Sequence, residues 1–148
     1  MSNGLTVISQ TELDEFIKKH IRFVQCKPGG ARANLKFKSL VGLTFRGADL
    51  SGADLTGSDL RNCNMANAKF HGTAFYGCNM QNANMENSDF TRADFRGADA
   101  TGASLNGSDL TGADMRAGAK IIAQNEKTNQ PIPTLDGKTI FKGTDLTN

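Results

Sequence analysis

The run Ala48-Asp49-Leu50-Ser51-Gly52-Ala53-Asp54-Leu55-Thr56-Gly57 states a five-residue unit twice, and that unit governs the chain from Ala33 to about Gly118. Large apolar residues recur at Leu35, Leu40, Phe45, Leu50, Leu55, Leu60, Met65, Phe70, Phe75, Met80, Met85, Phe90 and Phe95. After a lapse at Ala100 they resume at Leu105, Leu110 and Met115. Two residues before most of them sits a small side chain, such as Ser58, Cys63, Thr73 or Cys78; two residues after sits Gly or Asn. A period of five matches neither the 3.6-residue stripe of a helix nor the two-residue alternation of a strand. Gly and Asn tolerate positive φ at least cost, so one of them every five positions marks a turn every five positions. A short extended piece and a turn, repeated, wind the chain into a coil with its apolar residue pointing to the axis. Such coils gain stability by stacking on their neighbours.

The units Ala48–Gly52, Ala53–Gly57, Ala83-Asn84-Met85-Glu86-Asn87 and Ala113-Asp114-Met115-Arg116-Ala117 resemble the pentapeptide-repeat family: a small residue, Asp or Asn, Leu or Phe, then two variable positions. The resemblance implies an all-β solenoid, a right-handed four-sided β-helix with four units per coil. Positions 20 apart then stack. Leu55, Phe75, Phe95 and Met115 form one interior column, and Leu50, Phe70, Phe90 and Leu110 a second. Phe45, Met65, Met85 and Leu105 form a third; Leu40, Leu60, Met80 and Ala100 form the fourth, where Ala100 leaves a gap in the core.

Three segments follow: 1–32 as an N-terminal cap, 33–118 as the solenoid, and 119–148 as a loop with two shifted repeat-like units. Thr6 to Ser9 reads as a short strand. Ser9 and Glu12 have the form of a capping box. Leu13, Phe16, Ile17, His20 and Ile21 then recur at helical spacing, which predicts an amphipathic helix over 10–22 whose apolar face caps the first coil or, alternatively, binds a partner. His20 reads as a packed residue, and Cys26 to Gly30 as a turn into the first coil. At the other end Asn125 to Pro133 reads as loop, folding over the last coil as a cap or serving as a binding loop, with Ile121 or Ile122 filling the gap at Ala100. Asp136-Gly137 is a turn signal. Thr139–Gly143 and Thr144–Asn148 read as further units.

No run approaches the ~18 apolar residues that cross a membrane, and Met1 to Gln10 lacks the basic start and apolar run of a secretory signal. Cys63 and Cys78 occupy the small inward position and read as buried thiols, which with Cys26 fits a reducing, cytoplasmic setting. The chain holds two histidines and no phosphate loop, nucleophile elbow or metal-spaced His/Cys set. The row Asp49, Asp54, Asp59, Asp89, Asp94, Asp99, Asp109 and Asp114 precedes the core residue, where a carboxylate bonds turn backbone. No cofactor and no enzymatic activity are therefore expected.

The expected function is a non-enzymatic protein–protein interaction or structural scaffold module. Tyr76, Arg96 and Arg116, with His71 and Gln81, make the candidate interaction surface, because Tyr and Arg are enriched at binding hot spots. Arg96, Arg116 and nearby Arg92 read as a small basic patch. Some members of the family mimic DNA and bind type II topoisomerases such as gyrase. That alternative asks for a strongly negative rod, whereas 33–118 holds three Lys and five Arg against eight Asp and one Glu, net −1. Nucleic-acid binding lacks an aromatic stacking platform beside the basic residues. A further alternative is a component of a phage or other large assembly. Phe141 and Leu146 are the candidate assembly contact of a homodimer formed through the C-terminal end, a mode that dimeric members of the family share.

Overall fold

In the computed structural model, residues 4–116 are described, together with two short strands at 134–135 and 138–139. From Asn34 to Asp114 the backbone forms thirteen parallel bridges, each joining a residue to the one 20 positions on: Asn34 to Asp54, Ser39 to Asp59, Thr44 to Asn64, Asp49 to Lys69, and so upward. A coil therefore takes four five-residue units. At about 4.8 Å per stacked strand, the bridged coils form a four-sided rod roughly 20 Å long.

The turns explain why the unit has five residues. In Leu50-Ser51-Gly52-Ala53 the Ala53 N–H donates to the Leu50 carbonyl at 2.9 Å, with Gly52 at φ +75°. The same bond recurs at most corners, and every position two after a core residue from 37 to 112 has positive φ. Gly and Asn take this conformation at least cost, but Phe37 (φ +55°) and Arg92 (φ +58°) adopt it too. Both are departures that the Gly/Asn pattern did not anticipate.

Core residues point inward and are almost wholly excluded from solvent, Phe75 and Phe90 included. The expected columns stand. Phe70 and Phe90 stack at 5.2 Å between centroids and 4° between planes, Phe75 and Phe95 at 5.1 Å and 7°. Neighbouring columns touch edge-on or tilted, as between Phe70 and Phe75 at 5.4 Å, so the rings form one continuous aromatic stack. Ala100 is itself fully buried.

The small inward residues do more than leave room. Thr73 donates its hydroxyl to the Leu50 carbonyl at 2.8 Å, and the Cys63 and Cys78 thiols point at the carbonyls of Leu40 and Leu55 at 2.9 Å. Ser58, Ser88 and Ser108 donate in the same way to Leu35, Met65 and Met85. Each closes a polar contact between coils inside an apolar core, where an unmatched hydroxyl would be penalised. Burial pushes both thiols up to about 12.

At the N-terminal end β1 (Thr6–Val7) pairs in parallel with β2 (Lys38–Ser39) in the first coil. Helix α1 (Gln10–Val24) follows, two residues longer than the spacing predicted, and opens with a complete Ser9/Glu12 capping box. Its apolar stripe lies against the open first coil. Leu13 is fully buried, Phe16 and Ile17 pack on the core, and the Gln10 side chain bonds both the N–H and the carbonyl of Thr44 at 2.9 Å. His20 is fully buried with both ring nitrogens engaged: Ala33 N–H donates to Nδ1 at 2.9 Å, and Nε2 donates to the Ser51 carbonyl at 2.8 Å. The histidine thus bolts the helix to the start of the first coil and to its closing corner.

β3 (Thr134–Leu135) and β4 (Lys138–Thr139) pair antiparallel across the two residues that carried the turn signal. Thr139 therefore pairs antiparallel, unlike the parallel bridges of the solenoid, which departs from its reading as the start of another unit. The readings of Ile121, Ile122, Phe141 and Leu146 lie outside the described residues.

Candidate functional site

Each edge of the rod is a column of turn residues. Lys36, Thr56, Tyr76, Arg96 and Arg116 share one edge, 20 positions apart. Tyr76 is 48% exposed, and the Arg96 guanidinium carbon lies 5.4 Å from its ring centroid. This is a cation–π contact. It confirms that Tyr76 and Arg96 are neighbours between adjacent coils.

The other candidate residues do not join them. His71 lies on the edge before and bonds Thr91 Oγ1 at 2.6 Å; Gln81 lies on the edge after and donates to Asp99 at 3.1 Å. A five-residue step carries each around a corner, so the five expected residues occupy three edges.

The expected basic patch is corrected as well. Arg96 forks onto Asp94 at 2.9 and 2.8 Å, and Arg116 onto Asp114 at the same distances. Arg96 also approaches Asp114 at 3.8 Å. The two arginines thus alternate with two carboxylates along the edge, and their charge is locally balanced. The Arg96 bonds hold the Asp94 carboxyl below its usual range, and the Arg116 bonds bring Asp114 to about 2. Arg61 clasps Asp59 in the same manner.

The pairing follows a spacing visible in the sequence. A carboxylate just before a core residue and an Arg or Thr just after it stand two positions apart across the strand end. Thr56, Thr91, Thr101 and Thr111 bond their Asp partners at 2.6 Å by the same spacing. All eight aspartates of the row accept the backbone N–H two residues on, at 2.9–3.2 Å. Their expected structural role is met at every position.

One concave feature lies elsewhere. A groove of about 390 Å³ runs between α1 and Ala31–Asn34, floored by Phe16 and Ala33 and rimmed by Glu12, Glu15, Lys19 and Arg32. Among the described residues no three His, Cys, Asp or Glu gather as metal donors, and no helix is long and apolar enough to cross a membrane.

These turns, bridges and inward columns define a pentapeptide-repeat β-helix. The sequence profile described as Pentapeptide repeats matches residues 44–82 and 78–116, in eight copies. The chain belongs to this family. It is similar to HetL, a pentapeptide repeat protein involved in heterocyst differentiation regulation in the cyanobacterium Nostoc: 28% identity, TM-score 0.53, over 58% of this chain and 40% of that one. It is also similar to a pentapeptide repeat protein of the Arabidopsis thaliana thylakoid lumen: 29% identity, TM-score 0.52, over 74% of this chain and 61% of that one. The chain thus spans less than two thirds of either relative. These likenesses imply the right-handed winding. QnrB1, a plasmid-mediated fluoroquinolone resistance protein, matches at 22% identity and TM-score 0.30, too slight a likeness to bear on function. No curated protein sequence matches the chain.

Proposed function

We propose that the protein is a non-enzymatic interaction module, a rigid rod that presents the Tyr76–Arg96–Arg116 edge to a protein partner. The observation that carries this is the Tyr76–Arg96 stack. Arg96 is held from below by Tyr76 and from the side by Asp94, so an exposed aromatic and a guanidinium stand already ordered. Side chains ordered before docking lose less entropy on binding, and these two residue types dominate binding energy at interfaces. The engagement of all eight row aspartates in turn bonds supports a structural reading of the carboxylates. α1 serves this reading as the cap of the first coil. DNA mimicry asks for a free row of carboxylates, and on this edge Arg96 and Arg116 occupy them, which weighs against the gyrase alternative.

The test is affinity capture from the native cell with wild type, Tyr76→Ser and Arg96→Ala, each first shown to melt like wild type. A protein retained by wild type and lost by both variants is expected; an identical retained set would overturn the edge as the contact. Self-association through the C-terminal end, with Phe141 and Leu146, is a separate proposal. Light scattering over a concentration series checks it: a protein monomeric throughout removes it.

A further inference from the structure

We propose a second docking surface at the N-terminal end, where the open edge of β1 adds a strand from an extended acidic segment of a partner protein. The backbone makes the first case. Thr6 N–H donates to the Phe37 carbonyl and Ile8 N–H to the Ser39 carbonyl, so the N–H and carbonyl of Val7 between them face away from the rod. Neither has a partner among the described residues. β1 is thus a sheet edge of the kind that extended peptides extend by main-chain bonding.

The side chains make the second case. Six large apolar residues are exposed among the described residues, and three of them lie on β1 or in the turns flanking β2. Val7 (67% exposed) stands opposite Ser39 in register, while Phe37 (56%) and Val41 (41%) occupy the turns at either end of that strand. Phe37 is the anomaly. It takes a left-handed conformation that favours Gly, and its ring lies over the Gly57 backbone rather than in the core. The ring thus lies on the Asp59 side of β2, away from β1, and the apolar side chain at the open edge is Val7.

Charge selects the occupant. Between Phe16 and Ala48 the chain carries eight Lys or Arg and no Asp or Glu. Lys36 and Lys38 flank Phe37 and make no ion pair among the described residues. A second copy meeting this edge would bring lysine against lysine, whereas a strand alternating acidic and apolar residues would set its carboxylates toward the lysines and an apolar side chain on Val7.

Fluorescence anisotropy of the full chain with a labelled, end-capped peptide, Glu-Val-Asp-Phe-Glu-Ile-Asp, tests the proposal. Saturable binding is expected, weakening with salt. Val7→Glu, a change at an exposed side chain that leaves the Thr6 and Ile8 backbone bonds in place, should lose about tenfold or more in affinity. Lys36→Glu with Lys38→Glu should lose at least as much, and a peptide N-methylated at alternate amides should not bind. Tyr76→Ala should bind as wild type, which separates this surface from the edge proposed above. Absence of wild-type binding, full binding by Val7→Glu, or equal binding of the N-methylated peptide or of one with Lys in place of the acids would overturn it. So would tighter binding to phosphatidylserine vesicles or to a single-stranded oligonucleotide.

Discussion

Replacing His20 by Leu is the sharpest test of how the helix is held. The change keeps a side chain of similar bulk in a fully buried site but removes both polar ring atoms. It strands the Ala33 N–H and the Ser51 carbonyl, each bonded at 2.8–2.9 Å in the native protein. A buried donor or acceptor left unmatched costs about 1–3 kcal/mol, so the pair sets an expected loss of about 2–6 kcal/mol. His20→Gln offers one donor and one acceptor and should recover part of it. In a stacked solenoid the loss need not be global, because each coil contacts only its neighbours. The readout is therefore double: denaturant unfolding followed at the helical dichroism band, and hydrogen exchange at the Ala33 amide. Early melting of the helical signal with a freely exchanging Ala33 is the expected outcome. A His20→Leu protein within about 0.5 kcal/mol of wild type, with Ala33 still protected, would refute the claim that the histidine bolts the cap to the coil.

Phe90→Ala removes a fully buried ring stacked on Phe70 and tilted against Phe75 and Phe95; calorimetry should show a loss of about 3–5 kcal/mol, and a neutral result would contradict the column. Arg92→Gly relieves positive φ on a non-glycine residue and should stabilise by roughly 1 kcal/mol, seen as a raised denaturation midpoint. In native protein a thiol reagent near pH 8 should titrate Cys26 alone, since Cys63 and Cys78 are buried and held up to about 12. Folded values above the unfolded ~8.5 mean that this contribution is complete below that pH and fades as pH rises towards about 12. Alkaline unfolding scans should show the decline, and Cys63→Ser should reduce it.

The two-residue offset between Asp and Arg or Thr is present in the sequence, but its meaning depends on a strand end placing both side chains on one outer face. Phe37 and Arg92 lay in plain view at the glycine position, but a sequence does not say whether such a unit bends out of register or accepts the strain. The stacked Phe70–Phe90 and Phe75–Phe95 rings follow from the 20-residue coil, and that number came with the family resemblance rather than with the period.

What the sequence determined by itself is everything governed by local repetition. A turn-forming residue every fifth position and an apolar residue between turns force a coil with a filled axis, whatever lies at its ends. The capping box and the apolar stripe of α1 were likewise local, as was the packed character of His20. Tertiary structure alone decided what crosses coils and corners. It placed Tyr76 against Arg96 but sent His71 and Gln81 around neighbouring edges. It turned an apparent basic patch into a balanced ladder with Asp94 and Asp114. It also paired β1 with Lys38–Ser39 and left one backbone edge open. These relations depend on which residues share an edge after 20 residues of winding, and the energy of each comes from a neighbour far away in the chain.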